Sequence, residues 1–339
     1  MKLLIIIGVI PLVIAAALIA AIVFGGPGDP PPMLSINHPF KGLDYADLPV
    51  ARQFTARDGT PLSFREYPVV GGAAKGSVVL IHGSSASGRS MHVMAKGFAA
   101  AGYTAFALDV RGHGQSGTKG YIDYVGQLED DLEDFSRAIQ PQQPATLVGF
   151  SSGGGFALRF AGSARQKLFS NYLLLSPFIG VDAPTSRPNS GGWVNVGVPR
   201  IIAIGLLDAI GVHAFDRLPV IKFALDKEAK TFLTAQYSYA LSENFGPQRD
   251  WRANIRAVHQ PLILLAGQAD EAFHSERFSA LFKAEGKDVQ VSLLPGIGHI
   301  ALTLVPKAIQ AAVSAVTSMD AAAKCRSDDG IDSDISAYA

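Results

Sequence analysis

The residues best suited to chemistry centre on Ser151. It lies in the segment GFSSG at positions 149–153, which fits the pattern G-x-S-x-G. The apolar run 145–150 is typical of a buried strand, and the small residues that follow are typical of a helix. A serine in such a sharp strand-to-helix turn holds its hydroxyl above the sheet edge. The next backbone N–H, that of Ser152, begins the helix unpaired and is predicted to face a developing oxyanion.

A serine hydroxyl is a poor nucleophile until a base removes its proton, and the base needs a further group that orients it. Ligands of parallel α/β sheets bind beyond the C-terminal ends of the strands. Asp270 and His299 each come a few residues after an apolar run. We therefore predict that Ser151, Asp270 and His299 meet at one edge of a sheet. Glu271 is adjacent to Asp270 and remains an alternative orienting acid.

The elements that must position these residues alternate between strands and helices. Apolar runs predict strands over residues 77–82, 103–109, 145–150, 172–176, 262–266 and 289–294. Helical patterns cover residues 89–101, 121–139, 275–285 and 301–318. Strands separated by helices of this length indicate an α/β fold with a mostly parallel sheet and crossover helices. Asp58-Gly59 between two shorter runs predicts a hairpin ahead of them.

The pattern of strands and helices divides the chain into five regions. An N-terminal transmembrane anchor or signal peptide is predicted over 1–24, and a spacer over 25–49. The α/β core takes 50–178 and 251–318. Over residues 179–250 the alternation of strands and helices stops and apolar, helix-like segments take its place, which predicts a helical cap inserted over the sheet. The tail, 319–339, ends in aspartates among small residues and is predicted to be disordered.

The first region carries a long apolar stretch. Residues 3–24 contain no charged side chain, and their length is sufficient to cross a bilayer. Small residues at 15–21 also permit a cleaved signal peptide. Lys2 precedes the stretch and the next basic residue is Lys41, so the positive-inside bias puts the N-terminus in the cytoplasm. We expect a membrane-anchored protein with an extracytoplasmic catalytic domain, periplasmic in a bacterium, or a secreted one if the segment is removed.

Composition excludes several classes of protein. The 339 residues include 29 basic and 29 acidic side chains, so the chain has no net positive charge that would favour binding to nucleic acid. Cys325 is the only cysteine and lies in a polar tail, which excludes a disulfide within the chain and disfavours a thiol nucleophile. The histidines lack a metal-binding spacing such as H-E-x-x-H. No metal and no cofactor is predicted.

Several motifs together resemble the α/β-hydrolase superfamily, and most closely its branch of monoacylglycerol lipases and lysophospholipases. The resemblance covers residues 50–318 and rests on HG at 82–83, DVRGHGQSG at 109–117, GFSSG at 149–153, GQAD at 267–270 and GIGH at 296–299. The order serine, acid, histidine is that of the superfamily. The resemblance implies a mobile cap between the sixth and seventh strands, at 179–250.

The same resemblance assigns roles to residues. Ser151 would be the nucleophile, His299 the general base and then acid, and Asp270 its orienting partner. The backbone N–H groups of Ser84 and Ser152 would form the oxyanion hole. Ser84 and Ser85 stand where relatives carry a run of glycines, which departs from the family pattern.

The expected function is hydrolysis of a carboxylic ester through an acyl-enzyme, with a small-molecule or monoacyl lipid ester as substrate. Apolar residues of the predicted cap favour a lipid, or else they pack onto the sheet: Ile201, Ile202, Ile204, Leu206, Leu207 and Phe215. A peptidase or thioesterase with the same triad is an alternative, because the triad does not encode the leaving group. An anchored binding module without catalysis is a further one.

Overall fold

The apolar runs form one large sheet in the computed structural model, which describes residues 2–33, 42–188 and 192–332. Side chains of residues 2–9 and 324–332 lie outside that description. The strands of this sheet are, in chain order, β1 (Arg52–Thr55), β2 (Pro61–Tyr67), β3 (Ser77–Ile81), β4 (Thr104–Leu108), β5 (Ala145–Phe150), β6 (Asn171–Leu175), β10 (Leu262–Gly267) and β11 (Gln290–Leu294). The chain between β6 and β10 contributes three strands to a separate sheet.

The spatial order of the large sheet is β1-β2-β4-β3-β5-β6-β10-β11. The β1–β2 and β2–β4 pairs are antiparallel, and all the other pairs are parallel. Because parallel strands point the same way, the C-terminal ends of β3, β5, β10 and β11 lie at one edge. Ile81 pairs with Gly149 in that register, and Gly267 pairs with Leu294. The predicted α/β fold with a mostly parallel sheet is therefore confirmed.

Helices cover both faces of the large sheet. The helices that pack on this sheet are α2 (His92–Ala100), α3 (Gln127–Ile139), α4 (Ser152–Ala161), α8 (Trp251–Ala257), α9 (Phe278–Ala284) and α10 (Pro306–Asp332). One apolar core joins the sheet to α3, α4, α8 and α9, and a second core joins its other face to α2 and α10. Burial on both faces explains why the central strands are continuous apolar runs rather than alternating ones.

The chain between β6 and β10 forms the cap. It contains β7 (Val194–Val196), α5 (Val198–Asp208), β8 (Pro219–Phe223), α6 (Ala229–Phe232), β9 (Gln236–Ser238) and α7 (Tyr239–Asn244). Strands β7, β8 and β9 pair antiparallel in a three-stranded sheet. The cap therefore contains strands as well as helices, which differs from the helical cap that the sequence predicts. Its strands are three to five residues long, too short for a clear alternating pattern in the sequence.

The C-terminal helix is longer than predicted. Helix α10 continues to Asp332 instead of ending at residue 318, so the prediction of a disordered tail is wrong for residues 319–332. Buried Asp320 holds the start of the extension, because it accepts hydrogen bonds from the Tyr103 hydroxyl at 2.8 Å and the Asn171 amide at 2.7 Å. These bonds join the first added turn to β6 and to the residue before β4. Residues 333–339 lie outside the described part of the chain.

The N-terminal apolar stretch forms α1 (Lys2–Phe24). Its C-terminal end meets the cap, where the Arg200 guanidinium donates to the carbonyl oxygens of Ile22 at 2.8 Å and Val23 at 3.1 Å. A cation at this position offsets the unpaired carbonyls of a helix end. Among the residues whose side chains the structure describes, no helix has both the length and the apolarity that crossing a bilayer requires. The transmembrane anchor stays a prediction.

Candidate active site

Ser151 sits in a strained turn between β5 and α4. Its backbone has φ 55° and ψ −119°, which a residue with a side chain rarely adopts. Two glycines allow the turn to close. A Cβ atom at Gly149 would lie 2.1 Å from the Gly153 carbonyl oxygen, and one at Gly153 would lie 2.3 Å from the His82 carbonyl oxygen. The G-x-S-x-G pattern thus corresponds to a backbone that raises one serine above the end of β5.

Asp270 and His299 meet beyond the ends of β10 and β11. The His299 Nδ1 and Asp270 Oδ2 atoms are 2.9 Å apart, and both side chains are buried. A carboxylate can only accept, so Nδ1 carries the hydrogen and Nε2 is left as the base. Asp270 Oδ1 accepts from the backbone N–H groups of Ala272 at 2.8 Å and Phe273 at 2.9 Å. These contacts hold both carboxylate oxygens in position.

The electrostatics of Asp270 keep it ionised. Burial alone would raise the pKa of its carboxyl, but the hydrogen bond and charge of His299, together with further hydrogen bonds such as that from the Phe273 N–H, bring the pKa below its usual value. An ionised Asp270 can stabilise the imidazolium that forms when His299 accepts a proton. The His299 ring lies between two aromatic rings, with centroid distances of 4.7 Å to Phe150 and 5.2 Å to Phe273.

Glu271, the alternative acid, has a different contact. Its Oε2 accepts from the backbone N–H of His299 at 2.9 Å and has no bond to the imidazole ring among the described residues. Glu271 therefore holds the backbone of the loop that carries the histidine, whereas Asp270 contacts the ring itself. The geometry favours Asp270 as the orienting acid.

The two segments that carry the predicted oxyanion donors are in contact. The hydroxyls of Ser84 and Ser152 are 2.5 Å apart, which brings the loop after β3 next to the first turn of α4. No acceptor for the Ser84 N–H occurs among the described residues. The Ser152 N–H is the first of α4 and lacks a partner within the helix. Neither N–H group therefore has an acceptor among the described residues.

One contact of an assembled triad is absent from the described residues: no hydrogen bond joins the Ser151 hydroxyl to His299 Nε2. Such bonds are often long in enzymes without substrate and shorten in the reacting complex. The structure therefore brings the three predicted residues to one edge of the sheet and pairs two of them directly.

His82, His113 and Asp109 carry the remaining motifs, and all three are buried. Burial lowers the pKa of His82 to about 4, so its ring is neutral at pH 7. Burial and the neighbouring His82 lower the pKa of His113 as well. Asp109 accepts from the N–H groups of Gly88 at 2.8 Å and Gln115 at 2.9 Å. The hydrogen bonds of His82 and Asp109 join neighbouring loops, which is consistent with structural roles.

A histidine–carboxylate cluster in the cap was not predicted from the sequence. Among the described residues, Asp208, His213 and Asp216 place one potential metal-ligand atom each within 4.8 Å of one another. The His213 Nδ1 contacts both carboxylates, so a protonated ring would bridge them as an ion pair. The spacing of five and three residues matches no common motif, which is why sequence patterns did not single it out.

Comparisons with known proteins agree with this arrangement. The family described as serine aminopeptidase, S33 (Hydrolase_4) matches residues 72–303. A monoacylglycerol lipase of Mycolicibacterium smegmatis is 27% identical over 239 residues, which are 66% of this chain and 81% of the lipase. The monoglyceride lipase of Saccharomyces cerevisiae is 25% identical over 278 residues, which are 74% of this chain and 87% of that protein.

A solved structure gives the same result for the fold. A soluble variant of the yeast monoglyceride lipase, in complex with a substrate analogue, superposes with a TM-score of 0.59 at 20% identity and covers 80% of this chain and 94% of that chain. The family match spans more than half of the chain, so the chain belongs to the serine aminopeptidase S33 family. It is an α/β-hydrolase of the monoglyceride lipase-like branch.

Proposed function

We propose that this member of the serine aminopeptidase S33 family is a serine hydrolase that cleaves carboxylic esters, foremost monoacyl lipid esters. Ser151 is the nucleophile, His299 the general base and acid, and Asp270 the group that orients His299. The observation that carries the proposal is the 2.9 Å contact of His299 with Asp270, beside a serine held in a strained turn. A residue kept at φ 55° is typical of a functional position.

Acylation begins with proton transfer from Ser151 Oγ to His299 Nε2. The oxygen attacks the acyl carbon, and the carbonyl oxygen becomes an oxyanion that accepts hydrogen bonds from the N–H groups of Ser84 and Ser152. Collapse of the tetrahedral intermediate breaks the bond to the alcohol, which leaves with the proton from His299. Ser151 then carries the acyl group as an ester.

Deacylation repeats these steps with water. His299 removes a proton from a water molecule, which attacks the acyl-Ser151 ester and regenerates an oxyanion at the same two N–H groups. The acid product leaves as the proton returns to Ser151. Throughout the cycle Asp270 remains ionised and keeps the Nδ1 hydrogen of His299 in place.

The choice of a lipid ester draws on the cap and on the relatives. Helix α5 exposes large apolar side chains on one stripe, including Ile202 at 58% exposure and Leu206 at 57%. Ile204, by contrast, is buried within the cap against Val220 and Tyr239, so it serves packing. The printed names of the two similar proteins, monoacylglycerol lipase and monoglyceride lipase, also support a monoacyl lipid substrate.

A series of p-nitrophenyl esters from acetate to palmitate tests the substrate class. With the full chain in detergent, kcat/KM is expected to peak at a medium or long acyl chain. Burial of each methylene group of the acyl chain contributes about 0.8 kcal/mol of free energy. An acyl chain that is longer by two methylenes should therefore have a kcat/KM more than about tenfold higher. A peak at acetate would contradict the lipid hypothesis and indicate a hydrolase of small esters.

A peptidase is the second candidate, because the matching family is described as serine aminopeptidase. The same triad can release an amine instead of an alcohol, since His299 protonates either leaving group. Aminoacyl p-nitroanilides separate the two hypotheses in one assay format. Turnover of an anilide at a kcat/KM close to that of the best ester would favour the peptidase, because an anilide is intrinsically far less reactive than a p-nitrophenyl ester.

We also propose that residues 1–24 anchor the protein in a membrane, with the catalytic domain on the extracytoplasmic side. The support is the uncharged stretch 3–24 and the position of Lys2 before it. Membranes of cells that make the full chain are expected to retain it through alkaline carbonate extraction. Release into the supernatant would contradict the anchor, and an intact mass lacking this segment would instead identify a cleaved signal peptide.

A further inference from the structure

The cap holds the oxyanion loop, which we define as residues 83–85. Ser85 lies in the left-handed region at φ 65°, a conformation that neighbouring contacts must maintain. Thr234 of the cap donates its N–H to the Ser85 carbonyl oxygen at 2.8 Å. In return, Ser85 Oγ donates to the Thr234 carbonyl oxygen at 2.7 Å. The loop and the cap are therefore paired through both backbone and side chain.

A third contact comes from Tyr237 on β9. The Ser85 N–H donates to the Tyr237 hydroxyl oxygen at 2.6 Å, although the two residues are 152 positions apart in the chain. All three cap contacts converge on Ser85. The residue next to it, Ser84, supplies the N–H that the proposed mechanism requires.

The Tyr237 hydroxyl is itself oriented by His113, whose Nε2 lies 2.6 Å away. His113 Nδ1 lies 3.2 Å from the Arg111 carbonyl oxygen, which can only accept, so Nδ1 carries the hydrogen of a neutral ring. Nε2 then accepts from the Tyr237 hydroxyl. With its single hydrogen directed to His113, Tyr237 presents a lone pair to the Ser85 N–H.

The surroundings make this chain of hydrogen bonds rigid. Tyr237, His113 and Ser85 are buried, and the Tyr237 ring packs edge-on against His113 and Phe223 at centroid distances of 5.2 and 4.7 Å. Without competing water, hydrogen bonds in such a site are strong, and an unpaired polar group is costly. The loop therefore has little freedom to turn while Tyr237 is in place.

The pairing decides which N–H groups are available to a substrate. Ser85 gives its N–H to Tyr237, whereas the Ser84 N–H has no acceptor among the described residues. If the loop rotated, Ser84 would move away from Ser152. Oxyanion stabilisation depends on donors held at the correct position before the charge develops.

We propose that Tyr237 is a positioning residue by which the cap holds the oxyanion loop through Ser85 and so aims the Ser84 N–H at the oxyanion. The inference rests on the proposed function, since only a hydrolytic mechanism uses that N–H. It makes the cap part of the catalytic geometry, not only a cover for substrate. Displacement of β9 would remove the Tyr237 hydroxyl from Ser85 and weaken catalysis at a distance from the triad.

The test is Tyr237→Phe in the full chain, which removes one hydroxyl and keeps the ring. Tyr172→Phe is the matched control, because the buried Tyr172 hydroxyl donates to the Gln166 carbonyl oxygen at 2.7 Å away from the loop. We expect Tyr237→Phe to lower kcat by about 10- to 100-fold with KM within about twofold. Affinity for a trifluoromethyl ketone that forms a reversible adduct with serine should fall in parallel, and Tyr172→Phe should change neither.

Hydrogen–deuterium exchange of the peptide that contains residues 82–88 gives a readout independent of turnover. Tyr237→Phe should accelerate exchange there, and Tyr172→Phe should not. Unchanged exchange, unchanged kcat, or equal losses of kcat in both variants would each overturn the proposal. A folded wild-type protein that turns over no ester or anilide would refute the proposed function instead, and the exchange comparison would still decide whether Tyr237 holds the loop.

Discussion

Replacing Ser151 with alanine is expected to lower ester kcat/KM by about 10⁴-fold or more, because the acyl-enzyme cannot form without the nucleophile. Binding is expected to persist, since the cap and the oxyanion donors remain. The strained backbone at φ 55° does not depend on the hydroxyl, so the variant should fold. The measurement is hydrolysis of the best p-nitrophenyl ester by wild type and variant at equal concentration.

Ser163→Ala is the control for this prediction. Ser163 follows the far end of α4, where its hydroxyl donates to the Phe160 carbonyl oxygen at 2.7 Å and accepts from the Arg165 N–H at 3.1 Å. It should retain wild-type activity within about twofold, as for a substitution outside the site. Equal activity of Ser151→Ala and wild type would exclude Ser151 as the nucleophile and would leave the strained turn without a catalytic explanation.

Asp270→Asn is expected to lower kcat by about 10³- to 10⁴-fold. An amide at this position can donate its N–H to His299 Nδ1, which favours the tautomer with the hydrogen on Nε2. That tautomer cannot remove the Ser151 proton. The lost negative charge would also no longer stabilise the imidazolium.

Glu271→Gln gives the matched comparison. Glutamine keeps an oxygen that can accept from the His299 backbone N–H, the contact that Glu271 makes at 2.9 Å. We therefore expect a loss of kcat within about tenfold, as for a residue that acts through the backbone of the loop. If Glu271→Gln proved the more damaging of the two, the assignment of the orienting acid would have to move to Glu271.

Much of the site could be predicted because its residues follow strong local signals. The parallel strands are buried on both faces, so they form apolar runs whose ends are easy to place in the sequence. Ser151 comes directly after such a run, and Asp270 and His299 come a few residues after theirs. The parallel arrangement then requires that they lie at the same edge of the sheet.

The choice between Asp270 and Glu271 needed coordinates. Adjacent residues in a loop can point in opposite directions, and no pattern in the sequence tells which carboxylate reaches the imidazole. The contacts differ clearly in the structure, where Asp270 meets the ring and Glu271 meets the backbone.

Elements that depend on distant partners were the ones predicted poorly. Helix α3 begins at Gln127 and not at residue 121, and Asn244 of the cap accepts from the N–H groups of Gly126 and Leu128 at this start. The extension of α10 through Asp320 has the same kind of cause. Both depend on contacts with residues more than a hundred positions away, which local patterns do not record.

The contact of Tyr237 with the oxyanion loop belongs to this group as well. In the sequence, Tyr237 is one aromatic residue in an irregular cap, and Ser85 is one serine of a polar loop. The type of either residue gives no indication that the two are in contact. Only the folded chain brings the cap strand β9 beneath the loop.

The central claim, an activated serine at position 151, is tested most directly by labelling with a fluorophosphonate. This reagent phosphonylates a serine whose proton a neighbouring base removes. Mass spectrometry of the digested full chain should place one adduct on the peptide that contains Ser151, and the label should disappear in Ser151→Ala. A folded protein that stays unlabelled, or an adduct on another serine, would contradict the account.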